Sequence, residues 1–311
     1  MKTRIAIVLG LAAAGPAPLQ ARVSEPFLVA ETGEYFASLQ EAVAAIGSGR
    51  GTVRIAPGRY GDCAVQEAGQ IVFVAEERGT AIFDGGACED KATLVLRGRG
   101  ARVDGLVFVN VRVADGNGAG IRLEQGNLEV AYTRFADGQC GILSHNDPKS
   151  SIRIDHSTFS GLGKDPDGNG AHSLYIGDYG LLSVTRTRFE RGTGGHYLKS
   201  RAGRIEVLDS SFDDSQGRRT NYLIDLSNGA AGRIAGNTFV HGTGKDNHTT
   251  MITVAPEGAE NRSAGLVIEN NVASVVPGFK WHTAFVGDWS GEKLNVRNNR
   301  VAAGIALLER R

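Results

Sequence analysis

Residues 196–201 read His-Tyr-Leu-Lys-Ser-Arg. On an alternating strand this puts Lys199 and Arg201 on one face beside a histidine, with no acid inside the strand. Two cations about 7 Å apart along a strand repel each other and suit an extended anionic chain. The chemistry they suggest is β-elimination on a uronic-acid polymer. That reaction needs a cation at the carboxylate, a base at C5 and an acid near the leaving oxygen. Arg201 has the planar fork that matches a carboxylate. Lys199 is the expected base, its pKa lowered toward neutrality by the adjacent guanidinium. His196 or Tyr175 is the expected acid.

Strand alignment supplies the rest of the candidate site. The segments starting at Ile121, Ile142, Leu174, Leu198, Leu223 and Met251 align with an apolar residue first, which must point inward. Arg122, Glu124, Leu143, His145, Tyr175, Lys199 and Arg201 then point outward. Burying both cations unpaired would be costly, so they are expected to face solvent. Arg122, Glu124, His145 and Arg201 are the expected substrate-binding residues, and Tyr175 is placed one coil below Lys199. His172 and His196 share a strand position with inward parity and are expected to stack unless a bulge turns His196 outward. Asp225 falls in the inward column next to Ser200 and is read as its support.

The elements that position these residues are repeats. The units VAYTRF, IDHSTF, VTRTRF, VLDSSF and IAGNTF end at Phe135, Phe159, Phe189, Phe212 and Phe239, spaced 24, 30, 23 and 27 residues apart. A second strand recurs between them. More than one short strand per irregular repeat, with frequent glycine, predicts an all-β fold: a single-stranded right-handed parallel β-helix, a solenoid with loops of varying length. Thr133, Ser157, Thr187, Ser210 and Asn237 form the expected hydrogen-bonding ladder at the bend. Residues 36–60 differ in kind. Leu39, Val43 and Ile46 have helical spacing ended by glycine, which predicts a short N-terminal helix capping the first coil.

Composition narrows the partner. The 311 residues carry 34 Lys plus Arg against 34 Asp plus Glu, so no global basic field attracts nucleic acid or an anionic membrane. Any anion-binding site must be local. With two Trp, a wide aromatic platform for sugars is not the expected mode. Residues 1–21 read as a signal peptide, with Lys2 and Arg4 before an apolar core too short to span a bilayer. Residues 22–311 are then one exported β-helix domain, secreted or periplasmic, without a stable membrane anchor. Cys63 and Cys88 lie 25 residues apart and are expected to bridge adjacent coils, leaving Cys140 as a buried thiol. Asp165, Asp167 and Asn169 form the first half of a calcium loop, but Ile176 stands where its last acid belongs, so an Asx turn is the better reading. No cofactor is otherwise expected.

SLQEAV followed by TVRIAPGRY resembles the start of the pectate-lyase-like superfamily of secreted β-helix proteins. Residues 168–258 are similar to a bacterial group of right-handed parallel β-helix repeat proteins, through GNGAHSLYIG, GGHYLKSRA, YLIDLSNG and the later APEG. That resemblance implies the fold. It leaves function open, because lyases, hydrolases, esterases, epimerases and adhesive tailspikes share the superfamily. Binding and β-elimination cleavage of an acidic polysaccharide is the leading expectation. The alternatives are a non-catalytic glycan-binding or surface protein, a uronate C5-epimerase, and a glycoside hydrolase, the last lacking an evident outward pair of carboxyls.

Overall fold

A computed structural model describes residues 25–163 and 171–311. The leader reading of residues 1–21 and the calcium-loop candidates Asp165, Asp167 and Asn169 lie outside the described residues. The chain winds into a right-handed parallel β-solenoid of about nine coils. Three sheets run its length, of twelve, ten and ten strands, each built by adding one strand per coil in chain order. The first sheet opens with an antiparallel pair, Phe27–Val29 and Glu34–Phe36.

Local chemistry explains the start. Ser38 caps the helix Leu39–Ile46 by accepting the Glu41 N–H, and the Glu41 carboxylate accepts the Ser38 N–H in return. Leu39, Ala42 and Val43 pack on the first coil and close the core there. A Cys63–Cys88 disulfide joins neighbouring coils just beyond, and Cys140 is free and buried.

Inside, one apolar core runs from Phe27 to Ile305. Phe83, Phe108, Phe135, Phe159, Phe189, Phe212 and Phe239 stack ring on ring, with centroids 4.7–5.7 Å apart. Their uneven sequence spacing is absorbed by loops while the strands keep register. At the bend, the Ser157 hydroxyl accepts the Thr133 N–H. The same bond repeats through Thr187, Ser210, Asn237, Asn271 and Asn299. Each side chain thus satisfies a backbone donor on the preceding coil that the turn would otherwise leave unpaired.

The third sheet carries the candidate site, and its register corrects the sequence alignment. Leu174 pairs with Leu198 as expected, but Leu198 pairs with Ile224, and Ile224 with Ile252. Leu223 and Met251 sit one residue before the expected column, yet are also buried in the core. Where the chain turns into this sheet, two consecutive residues face inward: Tyr197 and Leu198, Leu223 and Ile224, Met251 and Ile252. Alternation fails at that corner, so parity alone cannot choose the register.

Candidate functional site

The one-residue slip changes the neighbours of Lys199. Its outward column runs Arg122, Leu143, Tyr175, Lys199, Asp225, Thr253, Gly287. Asp225 therefore lies beside Lys199 on the outer face, not in the inward column behind Ser200. Its Oδ2 accepts from Lys199 Nζ at 3.1 Å and from the Ser227 hydroxyl at 2.9 Å. The Thr253 hydroxyl donates to Oδ1 at 2.8 Å.

Lys199 points away from the core but does not face solvent. It is only 6% exposed, because the loop after Val254 folds over it and brings Glu257. The Glu257 carboxylate accepts from Lys199 Nζ through Oε1 and from Arg201 Nη2 through Oε2. Arg201 also donates to Asn228 Oδ1, and its Nε–H to the Tyr175 hydroxyl at 3.1 Å. The Asn261 amide donates to the Arg201 carbonyl at 3.1 Å and to the Gly229 carbonyl at 3.2 Å, which fixes the turn. Tyr175 sits one coil below Lys199, as expected.

These contacts reverse the expected protonation of Lys199. Burial pulls its pKa down, but the Asp225 charge and the hydrogen bonds that Lys199 donates to Glu257 and Asp225 outweigh burial, and the net shift is upward. Lys199 is a held ammonium, not a neutral base. Burial likewise lowers the Arg201 pKa less than Tyr175 and Glu257 raise it. Burial favours the neutral form of Glu257, yet the bonds from Lys199 and Arg201 leave its carboxyl below the usual range.

His172 and His196 stack at 4.8 Å, and Tyr222 continues the column at 5.3 Å from His196. Gly195 makes this possible. A Cβ there would lie 1.9 Å from the Ala171 carbonyl oxygen, and its φ of +60° suits glycine. The Tyr222 N–H donates to His196 Nδ1 at 3.1 Å, so a neutral ring carries its proton on Nε2, which faces Asp225 Oδ2 at 3.5 Å. His196 thus stays in the stack and still borders the polar cluster. Burial first, then the charges of Lys199 and Lys245, hold its pKa down at about 3. It supplies no imidazolium acid near neutrality.

That depression carries a pH signature. Unfolded, His196 and His241 take protons below about 6.5, whereas folded they do so only near 3. The unfolded state binds more protons between those values. The associated stability is present above about pH 6.5 and is lost as pH falls toward 3. Melting temperature is expected to stay level from about pH 8 to 7 and drop progressively below about 6.5. The His196→Gln/His241→Gln double variant should show a flatter decline, and an unchanged slope would reject this origin.

The remaining candidates are dispersed. Arg122 lies in register with Tyr175, two coils below it, and its Nε is buried without a partner among the described residues. Glu124 is engaged by Lys91 at 2.9 Å and Arg97 at 2.6 Å, so it is part of a surface ion network. His145 is exposed on the turn beyond Leu143. Asp225 and Glu257 form the carboxyl pair that sequence reading did not find. Both touch one ammonium, but Asp225 is 1% exposed and covered by its donors. A second cluster was also missed. The fully buried Asp214 accepts from Lys245 at 3.0 Å, the Gly242 N–H at 3.1 Å, and the Tyr197 and Thr220 hydroxyls, each at 2.8 Å. Among the described residues, no group of three or more His, Cys, Asp or Glu is placed to hold a metal.

The fold and site together define a parallel β-solenoid with a paired-cation, paired-carboxylate cluster on the outer face of its third sheet. No family model, curated protein or solved structure matches this chain.

Proposed function

We propose that the protein is an exported β-helix protein of pectate-lyase-like type that binds an acidic, uronate-containing polysaccharide and cleaves it by β-elimination. One observation carries this reading: Glu257 already lays a carboxylate across Lys199 and Arg201, one oxygen on each. A substrate carboxylate that displaced Glu257 would meet the same ammonium and guanidinium, which would stabilise charge developing at C5. With Lys199 held charged, Tyr175 takes the proton-transfer role. Its hydroxyl, held by Arg201 Nε–H, gives its proton to the departing C4 oxygen as its oxygen takes the C5 proton; the C5–H and C4–O bonds break, the C4–C5 double bond forms and the phenol is regenerated. Arg122, along the same column, adds a cationic contact for the chain.

The test is Glu257→Gln. Removing the internal carboxylate leaves Arg201 without a carboxylate partner and Lys199 with Asp225 alone, so affinity for the polymer should rise by about five- to tenfold. Binding would be measured on polygalacturonate, alginate and hyaluronan, with ultraviolet absorbance of the unsaturated uronate product followed in parallel. Weaker binding by this variant would overturn the displacement. Absence of binding to every polymer would reject the reading.

A second reading, a glycan-binding solenoid without chemistry, is favoured by one observation. Lys199 and Arg201 are balanced by Asp225 and Glu257, a stable network with no neutral base. It predicts tighter binding by Glu257→Gln and no product absorbance.

A further inference from the structure

We propose that Trp281, with His248 and Phe279, forms a second sugar-binding contact for the same polysaccharide; this rests on the glycan-binding reading above. Trp281 is 46% exposed, unusual for so large an apolar ring. Its indole stacks on His248 at 3.8 Å between centroids, nearly parallel, and meets Phe279 edge-on at 5.3 Å. His248 is itself fixed, since its Nε2–H donates to the Thr243 carbonyl at 3.0 Å. One face of the indole is therefore backed by a rigid ring while much of its surface stays open. An exposed aromatic plate held in this way loses little freedom on binding.

The ligand class follows from surface chemistry and position. An aromatic face is electron-rich and apolar, and suits the C–H face of a pyranose ring. The residue before Trp281, Lys280, is exposed, and its charge suits an acidic chain. The loops that carry His248 and Trp281 lie between the second and third sheets, in the same layer that carries His196 and Tyr222. Along the third sheet, Lys199 is in register with Gly287, three coils on, and Trp281 lies on the loop leading into that strand. Three coils span about 14 Å. A polysaccharide following the coils from the Lys199 cluster reaches this plate only if it is long enough.

Chain length gives the test. Trp281→Ala should weaken binding of an octasaccharide of the bound polymer by about three- to tenfold and leave a disaccharide unaffected. Octasaccharide should also shift the protein's tryptophan fluorescence, and the shift should vanish in Trp281→Ala. Trp281→Phe, which keeps an aromatic face, should retain most of the octasaccharide affinity. Equal loss for short and long chains, or no loss at all, overturns the inference while the Lys199 reading stands. Failure of the native protein to bind either oligosaccharide overturns both.

Discussion

Tyr175→Phe is expected to lower turnover of an acidic polysaccharide by about 10²–10⁴-fold, the usual worth of a general acid–base group, while leaving binding nearly intact. The phenylalanine keeps the ring beside His172, an edge contact at 5.4 Å, and loses only the hydroxyl that receives Arg201 Nε–H. Arg201 and Lys199 would still hold a carboxylate. The effect should therefore appear in kcat with little change in KM. Full activity in Tyr175→Phe would remove the tyrosine from the proton path. Arg201→Lys separates the roles, because it keeps the charge and loses the fork, so both binding and turnover should suffer.

Lys245→Met is expected to be strongly destabilising. It leaves Asp214 fully buried with its hydroxyl and amide donors but without a counter-ion. Breaking one side of a buried pair costs about 3–5 kcal/mol, read as a lower denaturation midpoint at unchanged slope. Burial alone lowers the Lys245 pKa, and Asp214 opposes that fall without cancelling it. The double variant Asp214→Leu/Lys245→Met removes both charges and should recover part of the loss. A double variant less stable than Lys245→Met would reject the unpaired charge as the cause.

Much of the fold was legible because the solenoid writes its periodicity into single columns. The phenylalanines and the Ser, Thr and Asn residues of the bend recur whatever the loop length; the polar column forms the ladder expected of it, and the phenylalanines that mark the repeat prove to stack as well. The site was legible only in part. Lys199, Arg201 and Tyr175 converge, since strand parity places them correctly within their own coils. Asp225 was misplaced because Leu223 and Ile224 both face inward, and alternation alone favours neither register. Glu257 was missed because it is 58 residues from Lys199 and arrives on a loop, where no period constrains it. Buried polar clusters such as Asp214–Lys245 depend on loops crossing between coils, and local patterning does not encode such crossings.

The unbroken register from Lys199 through Asp225 and Thr253 to Gly287 makes the third sheet a ruler. Its graduations are the coils, each about 4.8 Å, and no strand along that stretch can stretch or compress to give an intermediate reading. The axial gap between the Lys199–Arg201 cluster and the Trp281 indole is therefore quantised. Loop changes can tilt either contact, but their axial spacing alters only by gaining or losing a whole rung. Excising one rung would bring the two marks closer by a single graduation, and on the proposed glycan binding it should shorten the minimum oligosaccharide that reaches both.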